Sequence, residues 1–378
     1  MGRDRPSPHR DLRRGRRVKI PRLLRRLPKS NATRFAVAII FMGVVAVMLW
    51  WRGPSWSAIG DAFTTVRWEW VAAAVGLNLA SVVVRAIAWR TVIRQAMPPP
   101  HPSNLLVFSA FSVGLFANAV LPGRIGELAR VAVLARKLPK RKGLWATLVG
   151  TVFAHRVFDL VPVVLLITYV VVTAKIPSWA ITSLVLFVGV GSLLFTFAFV
   201  SARRPHVAKV DHMGGARRIV SMARQGLGVM RSPLGTTVAI FFQCMGWMCQ
   251  LLAVWAAMRA FDIHSPLAAA GVVLLLMNVA TVFPLWPGNV GLTQIAIATP
   301  LAGSYGIAYA QGVAYGFGLQ AIEASVGIGV GLMFLAREGL SFAMLQVMPS
   351  ADQAEMSDQE HDTEEEPDAE TSRAGVPG

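Results

Sequence analysis

One segment of this 378-residue chain combines residues whose types and spacing could hold an anionic group. It reads Asn118-Ala-Val-Leu-Pro122-Gly123-Arg124-Ile-Gly126-Glu127-Leu-Ala-Arg130. Pro and Gly break the preceding helix, while Arg124, Glu127 and Arg130 recur every three residues on one face of the helix that follows. Arginine can grip a phosphate through two parallel hydrogen bonds, and a helix N-terminus adds partial positive charge. The segment predicts a site for an anionic head group; the alternative is an ordinary cytoplasmic loop whose Arg124 and Glu127 pair at the membrane interface.

Charged residues also fall inside two apolar runs. Arg156 and Asp159 are three residues apart in His155-Arg156-Val-Phe-Asp159, so they can pair within one helix. Arg85 lies deep in another run and needs a lipid phosphate or an acidic partner, for which the candidates are Asp159, Glu127 and Glu323. Charges in hydrocarbon are costly, so these groups should face the bundle interior or a water-filled cavity. Structural ion pairs that lock helix packing are the alternative to substrate contacts.

The elements that must position these residues are apolar helices. The chain is 54% apolar and only 15% charged, which is more apolar surface than one soluble core can hide. Runs long enough to cross a bilayer, at about 20 residues each, are 35–51, 70–93, 105–121, 144–173, 179–201, 235–261, 267–285 and 306–336. We therefore expect an all-α polytopic membrane protein with about seven or eight hydrophobic segments, and not an enzyme.

Charge at the ends and in two loops predicts orientation and partners. The net charge of +17 comes from a basic arm at 1–34 and from loops at 136–142 and 203–231. We expect the protein in the cell membrane, with all three basic segments on the cytoplasmic side. The basic loops can lie on an anionic leaflet, and nucleic-acid binding is not expected. The transmembrane domain is expected at 35–337, followed by an acidic disordered tail at 338–378. Neither a cofactor nor a metal site is expected, because the histidines lack zinc-ligand spacing.

Topology predicts two re-entrant hairpins. Three full crossings before residue 121 would place the basic loop at 136–142 outside, so the run 105–121, which meets Pro122-Gly123, is interpreted as a hairpin. Run 267–285 meets a similar break, and Pro122-Gly-Arg-Ile-Gly126 matches Pro287-Gly288-Asn-Val-Gly291. Each follows a run that contains an asparagine, Asn118 or Asn278. The pairing predicts an inverted-repeat transporter that holds its substrate between half-helix ends, with chance recurrence as the alternative.

At these motifs the chain resembles the flippase-like transmembrane-region family of lysylphosphatidylglycerol synthases. That family's pattern is N-x-x-x-P-x-R-x-G-E-x-x-R, then E-R-x-x-D, then P-x-x-P-G-x-x-G often followed by Glu. The chain departs from it at His155 and Gln294, which stand where the family has an acid.

The resemblance implies translocation of an anionic or aminoacylated phospholipid, or of an isoprenoid-linked lipid. The phosphate would meet Arg124, Arg130 and Arg85, while Glu127 and Asp159 would orient it or meet a cationic head group. No soluble synthase domain is expected after residue 337, so a separate lipid synthase could be a partner. The alternatives are an integral-membrane transferase that uses a lipid-linked donor and a non-transporting accessory protein of a synthase.

Overall fold

The computed structural model describes residues 56–120, 125–139, 141, 143–174, 189, 193, 196, 232–282 and 289–337. Regular secondary structure within these residues is helical throughout. We number the helices in chain order as α1 Trp56–Thr64, α2 Trp68–Ala96, α3 Asn104–Val120, α4 Gly126–Lys137, α5 Leu144–Thr173, α6 Pro233–Ala260, α7 Leu267–Val282, α8 Leu292–Tyr305 and α9 Tyr309–Arg337. The predicted runs at 35–51 and 179–201, the basic arm, the loop at 203–231 and the acidic tail lie wholly or almost wholly outside the described residues.

Four helices are long and apolar enough to cross a membrane: α2, α5, α6 and α9, with 28 to 30 residues each. A straight crossing needs about 20 residues, so these helices have length to spare for tilting. Apolar helices α3 and α7 are shorter, at 17 and 16 residues. The all-α polytopic architecture is therefore confirmed. Helix α1 has a packed face, formed by the buried side chain of Ile59 and by the edge-to-face contact of Phe63 with Phe261.

Helices α3 and α4 form the first hairpin. The Gly126 N–H donates to Asn118 Oδ1 over 2.9 Å, which supplies one of the backbone partners that a helix start lacks. A Cβ at Gly114 would lie 2.8 Å from the Gly126 carbonyl oxygen, so the two helices approach backbone to backbone because both positions are glycine. Two short antiparallel helices therefore stand where the hairpin was predicted, although Pro122, Gly123 and Arg124 lie outside the described residues.

Helices α7 and α8 form the second hairpin. The Asn289 side chain donates to the Ala280 carbonyl oxygen over 2.7 Å, and Asn289 has a positive φ of 45°. Gly291 is the N-cap of α8 and has a φ of 91°, a conformation that favours glycine. Its N–H donates to Gln294 Oε1 over 2.6 Å. The sequence did not predict α8, because its polar and small residues conceal a short helix. Pro284, Pro287 and Gly288 lie outside the described residues.

The helices repeat in order and length. Helices α2 to α5 have 29, 17, 12 and 30 residues, and α6 to α9 have 28, 16, 14 and 29. The first helices of the two sets begin at residues 68 and 233, and the last at 144 and 309, so one shift relates both. The Pro-Gly motifs obey the same shift. The starts of the four helix pairs differ by 165, 163, 166 and 165 residues. This nearly constant spacing argues against chance recurrence of the motif.

The two repeats are inverted, because α2 and α6 pack antiparallel. The Arg67 N–H donates to the Ala260 carbonyl oxygen over 2.9 Å at one end, and the Ser81 hydroxyl donates to the Gly246 carbonyl oxygen over 2.8 Å in the middle. Ser81 and Gly246 are 165 residues apart, so each is the repeat equivalent of the other. The pseudo-two-fold axis therefore passes between them. Helix α3 packs on α9 and α7 packs on α5, the exchange of partners that such an axis requires.

Candidate functional site

Asp159 joins three long helices from inside the bundle. Its Oδ1 accepts hydrogen bonds from Arg85 Nη2 over 3.1 Å, from Trp247 Nε1 over 2.8 Å and from the Gln243 amide. Its Oδ2 accepts from Arg156 Nη1 over 3.1 Å, one turn away on the same helix. The side chain is only 11% exposed. Asp159 is therefore the predicted partner of both Arg85 and Arg156, and it links α5 to α2 and α6.

Glu127 joins the first hairpin to the long helix α5. Lying in the first turn of α4, it forms ion pairs with Arg130, one turn further along, and with Arg156 of α5. Two guanidinium groups against one carboxylate favour its ionised form. The predicted spacing of Glu127 and Arg130 on one helix face is therefore confirmed, and Arg156 bridges the two carboxylates of the site.

Arg130 is held by aromatic rings as well as by charge. Its guanidinium carbon lies 4.7 Å from the Trp89 ring centre and 5.4 Å from that of Phe111. The Trp89 ring is fixed by its N–H, which donates to Thr151 Oγ1 over 3.2 Å. Arg130 is 4% exposed; its Nη2 pairs with Glu127 Oε2, whereas its Nε makes no hydrogen bond with the residues that the structure describes. A buried guanidinium with an unused donor is costly, so this end of the site is suited to bind a further anionic oxygen.

Arg156 is the accessible member of the cluster. It follows the first residue of α5 by about 18 Å of helix, at 1.5 Å per residue, which places it well within a span. Its side chain is nevertheless 51% exposed. A charge at such depth needs a water-filled cavity or a lipid head group beside it.

The ion-paired groups carry more positive than negative charge. Three guanidinium groups, those of Arg85, Arg130 and Arg156, contact two carboxylates, those of Glu127 and Asp159. His155 is buried edge-to-face against Phe111, with 6.0 Å between ring centres, and its Nδ1 makes no hydrogen bond to any residue that the structure describes. A histidine where the resembled family has an acid removes one negative charge. We name the five ion-paired residues the charge cluster: Arg85, Glu127, Arg130, Arg156 and Asp159.

The predicted site residues divide into three groups. Arg85, Glu127, Arg130, Arg156 and Asp159 form the charge cluster, and Asn118 and Gly126 shape the hairpin that carries two of them. Asn278 and Gly291 belong to the second hairpin, where the Asn278 side chain donates to the Leu274 carbonyl oxygen over 2.8 Å. Pro122, Gly123, Arg124, Pro287 and Gly288 lie outside the described residues. Their predicted roles remain predictions.

Four residues of the site were missed by sequence reasoning. Trp89 and Phe111 surround Arg130, and Gln243 and Trp247 donate to Asp159. Gln243 could have been found, because a fully buried amide inside an apolar span is costly without a partner. The two tryptophans carried no such signal, since tryptophan in this chain also suits the membrane interface. Among the described residues, no group of three His, Cys, Asp or Glu could hold a metal ion.

Comparisons with known proteins agree with the architecture. A family model described as "Lysylphosphatidylglycerol synthase TM region" matches residues 33–331. A UPF0104 membrane protein from Pyrococcus horikoshii is 26% identical over 131 residues, which are 35% of this chain and 38% of that protein. The match thus spans less than half the length of that relative. No solved structure matches the chain.

Proposed function

Because the chain belongs to the lysylphosphatidylglycerol synthase TM region family, we propose that it translocates an anionic lipid between membrane leaflets. The family supports a lipid-related role in a membrane. The finer assignment, with the charge cluster as the head-group site, comes from the contacts of this chain.

The observation that carries the proposal is the excess of positive charge around a half-exposed arginine within a span. Three guanidinium groups contact two carboxylates, and Arg156 is 51% exposed. A phosphodiester carries one negative charge and several acceptor oxygens, so it would balance the cluster and accept a hydrogen bond from the Nε of Arg130. A zwitterionic head group would bring an additional cation into the same place. The cluster therefore favours a lipid with net negative charge.

The inverted repeat supports movement as well as binding. In transporters of this architecture, substrates lie where broken helices of opposite orientation meet, and one part rocks against the other. Glu127 is in the first turn after the break of the first hairpin and holds Arg156 of the neighbouring span. A shift of this hairpin would change the ion pairs and the access to Arg156 together. Arg124, three residues before Glu127 in the sequence, is proposed to extend the phosphate site.

Location and partners complete the proposal. The protein is proposed to act in the cell membrane with its N-terminal arm in the cytoplasm, where the basic loops contact the anionic leaflet. A lipid synthase that supplies an anionic phospholipid is a proposed partner.

The test is lipid exchange in liposomes made with purified protein. Fluorescent phosphatidylglycerol is placed in both leaflets, and dithionite added outside bleaches only the molecules that reach the outer leaflet. We expect complete bleaching with the wild type and at least tenfold slower exchange with Arg156→Gln. Arg67→Gln is the matched control, because Arg67 pairs with Glu69 at an exposed position away from the cluster, and it should exchange at the wild-type rate.

Wild-type exchange equal to that of empty liposomes, with folding intact and several anionic lipids tried, would overturn translocation. It would favour an accessory protein of a synthase or a transferase. Exchange that survives Arg156→Gln undiminished would remove the charge cluster from the mechanism.

A further inference from the structure

The second repeat carries amides at two positions where the first carries members of the site. A shift of 165 residues relates Arg85 to Gln250, and these two side chains contact each other, Arg85 Nη1 donating to Gln250 Oε1 over 3.3 Å. The same shift relates His155 to Gln320. The pseudo-two-fold axis therefore brings the charge cluster of the first repeat against an uncharged counterpart in the second.

Polar contacts continue from this point into the second repeat. The Gln250 amide also interacts electrostatically with the Glu323 carboxyl group on α9. Gln320 precedes Glu323 by one turn, on the same face of the helix. Its Oε1 accepts from Gln294 Nε2 over 2.7 Å, and Gln294 in turn accepts from the Gly291 N–H. The contacts end at Gly291, which directly precedes α8 in the second hairpin.

Together with the charge cluster, these side chains connect the two hairpins. From Gly126 the connection passes through Glu127, Arg156, Asp159, Arg85, Gln250, Glu323, Gln320 and Gln294 to Gly291. The steps are hydrogen bonds or ion pairs, with three exceptions: the covalent step from Gly126 to Glu127, the electrostatic interaction of Gln250 with Glu323, and the helical turn from Glu323 to Gln320. We name this series the polar track.

A polar track of this length inside apolar helices is costly in free energy, which indicates that the connection between the repeats has a function. Each buried polar group must find a partner within the bundle, and a locally paired residue would satisfy that need without a connection between repeats. The amides of Gln250, Gln320 and Gln294 each offer two donors and an acceptor, which suits neutral hydroxyl groups as well as phosphate oxygens. None of the three adds a charge that would trap an anion.

We propose that the polar track is the path of a hydroxylated phosphodiester head group, whose phosphate leaves the guanidinium groups of the first repeat for the amides of the second. This inference rests on the proposed function and names its route. Gln250 is the necessary step, because it lies beside the pseudo-two-fold axis. There it contacts Arg85 of the first repeat and interacts with Glu323 of the second. The acyl chains stay in the bilayer. As the head group passes, the glutamine amides exchange their contacts with one another for contacts with its hydroxyl groups.

The test separates binding from passage. Purified Gln250→Leu protein is compared with wild type for exchange of fluorescent phosphatidylglycerol in liposomes, and for retention of phosphatidylglycerol by native mass spectrometry in detergent. Leucine keeps the volume and removes the amide. We expect exchange to fall at least tenfold while the amount of bound lipid stays unchanged, since Arg85 loses one hydrogen bond but every ion pair of the charge cluster remains. Gln311→Leu is the control. Gln311 is on α9, like Gln320 of the polar track, but its amide donates to the Phe261 carbonyl oxygen, away from the polar track.

A second variant covers failure to fold. Gln320→Leu leaves every contact of the charge cluster in place and should slow exchange to the same extent. Wild-type rates in both glutamine variants would overturn the path and leave the proposed function standing. Loss of bound lipid in Gln250→Leu, or an equal loss of exchange in Gln311→Leu, would likewise contradict it. Absence of exchange in the wild type would overturn the proposed function, and the path with it.

Discussion

Replacing Asp159 with asparagine removes a carboxylate that joins three helices while keeping its size. Arg85 and Arg156 would lose their ion pairs, and Gln243 and Trp247 would lose a charged acceptor. The asparagine amide would also point a donor at groups that are themselves donors. We therefore expect a clear loss of stability from Asp159→Asn.

The size of this loss follows from the contacts. Three of the four hydrogen bonds, those from Arg85, Gln243 and Trp247, cross between helices. Interhelical hydrogen bonds in membranes average about 0.6 kcal/mol, so their loss alone gives about 2 kcal/mol. Arg85 then remains as a largely buried cation without a carboxylate, and breaking a buried pair costs about 3–5 kcal/mol in all. Arg156 contributes less, because it is half-exposed and keeps Glu127.

The assay is equilibrium unfolding of purified protein in detergent, with a double-mutant cycle. Asp159→Asn should lower the free energy of unfolding by about 3–5 kcal/mol, and Arg85→Gln in the same protein should recover about 1–3 kcal/mol. Asp262→Asn is the control: it removes an exposed carboxylate at a positive φ that asparagine tolerates, and should change stability by less than about 0.5 kcal/mol. A loss below about 1 kcal/mol in Asp159→Asn, or strict additivity in the cycle, would refute the reasoning.

The remaining predictions concern the first hairpin and are checked by the same unfolding assay. Gly126→Ala should destabilise by more than about 2 kcal/mol because its Cβ would meet backbone of α3, whereas Gly60→Ala, which meets nothing within 4 Å, should be neutral or stabilising. Asn118→Ala should cost about 1 kcal/mol, since the Gly126 N–H loses its acceptor, and a variant as stable as wild type would show that water replaces it. Trp89→Leu should cost about 3 kcal/mol or more, because the fully buried ring leaves a cavity and its contacts with Arg130 and Thr151 are lost, and a loss below about 1 kcal/mol would contradict this packing.

Much of the site could be predicted because charges inside apolar runs have few solutions. Arg85 needed an acid, and Asp159 was among three candidates; the structure selects it. Arg156 and Asp159 pair at the spacing that one helical turn dictates. Helix α5 begins and ends at the predicted residues, since apolar length alone fixes a span.

What could not be predicted depends on packing between distant segments. The neutral partners Gln243 and Gln250 enter the site only because α6 packs antiparallel on α2, and no local pattern announces that pairing. The short helix α8 was missed, because a broken helix of 14 residues has neither the length of a span nor a clear cap. The five-residue motif hinted at the inverted repeat, but its extent became visible only in the matching helix lengths and the 165-residue contacts across the axis.

Head-group selectivity tests the central claim most directly. The exchange rates of fluorescent phosphatidylglycerol and fluorescent phosphatidylcholine are measured in liposomes that contain the wild-type protein. A charge cluster with one positive charge in excess predicts that the anionic lipid exchanges at least tenfold faster than the zwitterionic one. Equal rates for the two lipids would contradict an anionic head-group site at the cluster, whatever the absolute rate.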